Sequence, residues 1–151
     1  MKKTLLALAA AAAISTPAMA EVKLGIALGF TGPAESLAEA MARGAELAIK
    51  EVNEAGGILG GQKVSSTRAD STCVDASAAA AAADRLVNSD KVDAIVGGLC
   101  SGATISILQN VSMPTGTLQF SPSATSPALS TLEDNDLFFR ASPSDARQGQ
   151  V

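Results

Sequence analysis

Hydrophobic and polar positions along this chain follow two alternating rhythms. Residues 22–30 (VKLGIALGF) are apolar with little polar alternation, which predicts a strand buried on both faces. After the turn Thr31-Gly32-Pro33, apolar residues recur at helical spacing through Leu37, Met41, Ala45, Ala48 and Val52. Ser36 and Glu39 spell a capping box, so a helix is expected over 37–55, closed by Gly56 and Gly57. Residues 63–69 (KVSSTRA) are weakly apolar and β-branched, as in an outer strand. Asp75 is a good N-cap for the alanine-rich helix expected over 76–87. A third strand, 92–99, feeds a third helix that starts at Ser101 or Gly102, buries Ile105, Leu108 and Val111, and stops at Pro114. A fourth strand over 115–120, a polar turn, a short helix over 128–131 and a fifth strand over 137–140 complete the pattern.

Strands alternating with helices predict an α/β domain with a mostly parallel five-stranded sheet and flanking helices. Ligands of such sheets sit outside the carboxyl ends of the strands. The turns after strands one, three and four therefore share one rim. The third of these strands ends in Gly97-Gly98-Leu99-Cys100-Ser101-Gly102-Ala103-Thr104, a small-residue turn that becomes a helix. Free N–H groups and the positive end of a helix dipole make this a cradle for an anion, most simply a carboxylate. The same residues also fit an ordinary βα turn whose glycines only tighten the bend. The glycine run 56–61 follows a helix instead of a strand and lacks phosphate-loop spacing, so it reads as a connecting turn.

The address changes the picture more than the composition does. Lys2-Lys3, an apolar core over 5–14 and Ala18-Met19-Ala20 before Glu21 form a secretory leader of the bacterial kind. Residues 1–20 are thus expected to be a signal peptide, with a periplasmic product mature from Glu21 and no membrane insertion. A formal net charge of −4 without any basic stripe, together with the absence of His, Trp and Tyr, excludes a nucleic-acid partner. Without histidine, neither Cys73, Cys100 nor Ser101 has the base that nucleophilic catalysis requires, so no enzyme, metal or cofactor is expected. Two cysteines in an exported chain favour a disulfide.

The leader, F-T-G-P, N-E-A-G-G-I-L-G-G, D-S-T-C-V-D, V-D-A-I-V-G-G-L-C-S-G-A-T and F-S-P-S-A-T-S-P-A-L occur in one order. As a set they resemble the substrate-binding proteins of branched-chain amino acid ABC transporters, over 21–151. The resemblance implies the first lobe, incomplete, of a type I periplasmic-binding-protein fold. It places a ligand-binding lobe over 21–141 and, over 142–151, the hinge and the start of a second lobe. It implies a binder that delivers an amino acid or related small carboxylate to an inner-membrane permease without chemistry; a ligand-sensing receptor module of the same fold is the alternative. It puts the carboxylate on Ser101, further ligand contacts on Ser123, Ala124 and Thr125, and the disulfide on Cys73 and Cys100. Leu37 stands where many relatives pack an aromatic ring against the ligand.

Overall fold

The computed structural model describes residues 21–150, so the expected leader lies outside the described residues. Five strands form one sheet in the order β2-β1-β3-β4-β5, every neighbouring pair parallel. They are β1 (Val22–Leu28), β2 (Val64–Asp70), β3 (Ala94–Gly97), β4 (Leu118–Ser121) and β5 (Phe138–Arg140). The register runs from Val22 opposite Val64 on one side to Ser121 opposite Arg140 on the other. Helix α1 (Glu35–Glu54) covers one face, packing Ala38 and Ala42 on Ile26 and Leu28. Helices α2 (Ala76–Asp84) and α3 (Ser101–Ile107) cover the other, where Ala79, Ala83, Leu86 and Ile107 close over Ala27 and Ile95. Because β1 contributes to both clusters, its carboxyl half is apolar on both faces.

Local signals explain most boundaries. The Asp75 carboxylate accepts from the Ser77 and Ala78 amides at 2.8 and 3.0 Å and starts α2. Asn53, near the end of α1, receives the Val64 N–H at 2.8 Å and donates to the Val64 carbonyl at 2.7 Å. Its side chain thereby pins the outer strand to the helix. The 56–61 run is a turn, as expected, closed by the Ile58 N–H to the Gln62 carbonyl at 2.9 Å.

Three expectations need correction. The Ser36–Glu39 capping box does not form: α1 begins at Glu35, its N-cap is Ala34, and no side chain caps it. Glu39 instead accepts from Arg68 of β2 at 2.9 Å, a charge-assisted bond stronger than one to a backbone amide. Pro114 does not stop the third helix. A π-helical turn, Leu108–Ser112, leads into α4 (Met113–Thr115), and the helical run ends at Gly116 in the left-handed conformation. Finally, the fourth strand, expected over 115–120, runs over Leu118–Ser121, and it turns its polar residues inward: Gln119 and Ser121 are fully buried, while Leu118 and Phe120 are exposed.

Candidate functional site

A sheet ordered 2-1-3-4-5 changes winding direction between β1 and β3, and the crevice outside the carboxyl ends of those two strands is where such folds hold ligands. Two turns border it directly. One follows β1 through Gly29 to Pro33; the other is Gly98 to Cys100 between β3 and α3.

The β3 turn is fixed from below by buried side chains. Gly97 admits no side chain, because a Cβ there would lie 2.3 Å from the Ala27 carbonyl oxygen. Its own carbonyl accepts from Gln119 Nε2 at 3.0 Å; the same nitrogen reaches the Thr104 carbonyl at 3.1 Å, and Gln119 Oε1 accepts from Ser112 at 2.9 Å. The Gly98 carbonyl accepts from Ser121 Oγ at 2.7 Å and from Thr104 Oγ1 at 3.1 Å. The inverted burial of β4 thus serves the turn, since Gln119 and Ser121 face inward to hold two carbonyls at the site's base.

Ser101 is the first residue of α3, and Cys100 is the N-cap, so the serine hydroxyl is not spent on capping. Ser101 Oγ accepts from the Thr125 and Ser126 amides, both at 3.2 Å. With both lone pairs engaged, what the hydroxyl retains is its proton, so it can only donate outward. The first intrahelical bond of α3 is the Thr104 N–H to the Cys100 carbonyl at 2.9 Å, which leaves the preceding amides of Ser101, Gly102 and Ala103 outside the helical ladder. An oxygen anion is the chemical complement of this arrangement.

The β4 turn stands beside it. Ser123 is half-buried and donates its hydroxyl to the Leu99 carbonyl at 2.8 Å. Thr125, also half-buried, uses its N–H on Ser101 and its carbonyl on the Asp145 amide at 2.9 Å, leaving its hydroxyl as the group it can offer. Ala124 is buried against Leu108 and Leu129; its N–H goes to Ser121 Oγ at 3.0 Å and its carbonyl faces Arg140 at 3.4 Å. Its backbone is therefore partnered within the fold. Leu37, on the first turn of α1, is 56% exposed. Cys73 and Cys100 are disulfide-bonded with Cα atoms 5.3 Å apart, tying the rim after β2 to the rim after β3.

Asp70 and Arg68 of β2 carry rim interactions that the sequence pattern did not single out. The Asp70 carboxylate accepts from the Phe30 amide at 2.9 Å, the Thr31 amide at 3.3 Å, the Thr72 amide at 2.9 Å and the Thr31 hydroxyl. Burial works against this carboxylate, but the Thr31 hydroxyl and the three amides outweigh it and hold the carboxyl below its ordinary range. Arg68 is held by Glu46 and Glu39 and lies 5.2 Å from the Phe30 ring centre. Its hydrogen bonds to Glu46 raise the guanidinium pKa and lower that of Glu46. A separate apolar cleft of about 390 Å³ lies between α1 and one face of the sheet, from Val22 and Val64 to Val96 and Phe120; none of the candidate residues lines it. Among the described residues no cluster of side chains could hold a metal ion, and no helix is long and apolar enough to cross a membrane.

Comparisons with known proteins bear on the family and the fold. A family model described as periplasmic binding protein matches residues 21–151. An amino acid binding protein of Pseudomonas aeruginosa is 38% identical over 99% of this chain, and a Leu/Ile/Val-binding protein homolog of Brucella abortus is 38% identical over all of it. The chain spans about 40% of the length of either relative. Among solved structures, the branched-chain amino acid transporter substrate binding protein LivJ of Streptococcus pneumoniae, in complex with isoleucine, superposes with a TM-score of 0.76. It is 31% identical, with 84% of this chain and 35% of that one covered. A solute binding protein of Rhodopseudomonas palustris, in complex with benzoate, gives a TM-score of 0.74 at 25% identity, covering 87% of this chain and 35% of its own. With the parallel sheet, the disulfide and the rim in place, these matches mean that the chain belongs to the periplasmic binding protein family and represents part of a type I lobe.

Proposed function

We propose that this chain is the ligand-binding first lobe of an extracytoplasmic solute-binding component of an ABC importer, and that it takes an amino acid or related small carboxylate. The observation that carries the reading is the start of α3. There a donor-only Ser101 hydroxyl stands beside amides that precede the helical ladder, at the switch point between β1 and β3. The isoleucine and benzoate named for the two structural neighbours share a carboxylate and little else, which suits a site whose fixed part reads that group alone.

In this reading Ser101 donates to one carboxylate oxygen, and the Gly102 amide, on the exposed side of the helix start, serves the other. Ser123 and Thr125 flank the ammonium or the neighbouring part of the ligand. Ala124 contributes shape, by holding the turn in the core. Leu37 forms an apolar wall. Residues 1–20 are removed on export, the mature lobe covers 21–141 in the periplasm, and 142–151 form the hinge toward a second lobe that closes over the ligand. The loaded protein then presents the ligand to a membrane permease, with no chemical step.

The experiment is calorimetric titration of the complete protein with L-leucine, L-isoleucine, L-valine, L-alanine and benzoate. At least one of these carboxylates is expected to bind, and Ser101→Ala to weaken it by roughly 1.5–3 kcal/mol, the range for a hydrogen bond to a charged group. Failure of the whole panel to bind, or an unchanged affinity in the variant, refutes the assignment.

A further inference from the structure

We propose that Asp70, on the outer strand β2, is the positioning residue for the β1 rim turn and through that turn sets which ligand side chain the site accepts. The inference rests on the carboxylate reading given above and adds a division of labour to it.

Within the β1 turn the Phe30 N–H reaches the Leu28 carbonyl at 3.0 Å, and the Glu35 N–H reaches the Gly32 carbonyl at 3.4 Å. The turn's amides at Phe30 and Thr31 and its Thr31 hydroxyl also all converge on the Asp70 carboxylate, forty residues away in sequence. The same carboxylate takes the Thr72 amide, so one side chain joins the ends of β1 and β2. The two turns touch: a Cβ on Gly29 would sit 3.1 Å from the Cys73 Cβ, and Cys73 carries the disulfide to Cys100 beside Ser101. From the outer side, Arg68 lies against the Phe30 ring and is itself fixed by Glu39 and Glu46 of α1. The turn leads within a few residues to Leu37, the exposed apolar residue at the head of α1.

The carboxylate cradle at α3 takes its hydrogen-bonded support from other residues, Gln119, Ser121 and Ser101. The two parts of the rim thus have different hydrogen-bonded supports, joined through the Cys73–Cys100 bridge. The α3 side reads the carboxylate common to all ligands of the class. The β1 side, referenced to Asp70, presents the wall that a ligand side chain meets. Asp70 itself need not touch the ligand, since its bonds go to Phe30 and Thr31 of the β1 turn and to the Thr72 amide.

The test uses the complete protein with L-leucine and L-alanine as probes, titrated against wild type, Asp70→Asn, Thr31→Val, Thr31→Ser and Ser101→Ala. Thr31→Val removes one donor to the carboxylate and keeps the shape of the side chain; Thr31→Ser restores the donor. Asp70→Asn and Thr31→Val are expected to weaken L-leucine by about tenfold, a change on the scale of one charge-assisted hydrogen bond, and to weaken L-alanine less, so that discrimination falls. Thr31→Ser is expected to discriminate as wild type does, whereas Ser101→Ala weakens both probes in proportion. Amide exchange at Phe30 and Thr31 is expected to accelerate in Asp70→Asn. A leucine-to-alanine ratio unchanged in both Asp70→Asn and Thr31→Val, while Ser101→Ala still weakens both probes, overturns this inference alone. Binding of neither probe by wild type overturns it together with the carboxylate reading.

Discussion

Replacing Gln119 by leucine removes the polar support of the β3 turn while keeping a side chain of similar size. Gln119 is fully buried and makes three hydrogen bonds, to the carbonyls of Gly97 and Thr104 and from the hydroxyl of Ser112, itself fully buried. Three bonds at about 1 kcal/mol net each amount to roughly 3 kcal/mol. Leaving Ser112 Oγ without its partner adds about 1–3 kcal/mol, and the apolar surface of the leucine returns about 2 kcal/mol. The expected loss is therefore roughly 2–4 kcal/mol. Urea denaturation reads it as a lower midpoint at unchanged slope. A second substitution sharpens the test: adding Ser112→Ala removes the orphaned hydroxyl, so the double variant is expected to recover about 1 kcal/mol relative to Gln119→Leu alone. A loss below about 1 kcal/mol, or a double variant less stable than the single one, refutes the claim that this network holds the turn.

Other expectations follow from single features. Mass spectrometry without reduction should find no free thiol at Cys73 or Cys100, and removing the bridge by double alanine substitution should cost roughly 3–4 kcal/mol, from the loop entropy of a separation of 27 residues. Asp75→Ala should cost about 1 kcal/mol in urea denaturation, by leaving the Ser77 and Ala78 amides uncapped. Asp70 contributes a pH dependence whose sign is fixed. Its folded carboxyl binds a proton less readily than the unfolded one, so its contribution is present above the unfolded pKa, about 3.9, and is lost as pH falls through the lower folded value. Glu46, lowered by Arg68, acts in the same sense. Thermal melts of wild type and Asp70→Asn should therefore converge as the pH is taken below about 4; a gap that stays constant counts against the ionised clamp.

The strands and their parallel arrangement were legible because β1 and β3 sit inside the sheet and read as largely apolar runs, and because Asp75 and the glycine turn carry their own local chemistry. The turn from β3 into α3 was legible too, as a run of small residues leading into a helix. What was not legible depends on partners distant along the chain. The period-two pattern of β4 is the same whichever face points inward, and only the carbonyls of Gly97 and Gly98 decide that Gln119 and Ser121 do. Ser36 and Glu39 spell a cap, but Arg68, 29 residues on from Glu39, claims the carboxylate. Asp70 looks like the polar end of an outer strand until the β1 turn is folded against it. The link between Ser101 and the Thr125 and Ser126 amides, which turns a serine into a pure donor, spans 24 and 25 residues and has no local signature.

That link carries a last prediction about which ligands the cradle refuses. Ser101 Oγ accepts two amide bonds and so has only a proton to give, and the neighbouring Gly102 group is an N–H donor as well. In the proposed binding mode, everything that faces the ligand's acid group there is a donor. A carboxylate meets this with acceptor oxygens on both sides. A primary amide meets it with one oxygen and one NH2, and the NH2 sets donor against donor and brings no negative charge to the helix start. L-leucinamide is therefore expected to bind more weakly than L-leucine by roughly 2–4 kcal/mol, one lost charge-assisted bond together with the dipole contribution. In Ser101→Ala the gap should narrow if the hydroxyl faces the oxygen that amidation replaces, and persist if it faces the one that is retained; paired titrations of both ligands into both proteins distinguish the two orientations. Equal affinity of wild type for L-leucine and L-leucinamide would mean that the α3 amides point at something other than the carboxylate, and Ser101 would then be only a strut between two turns.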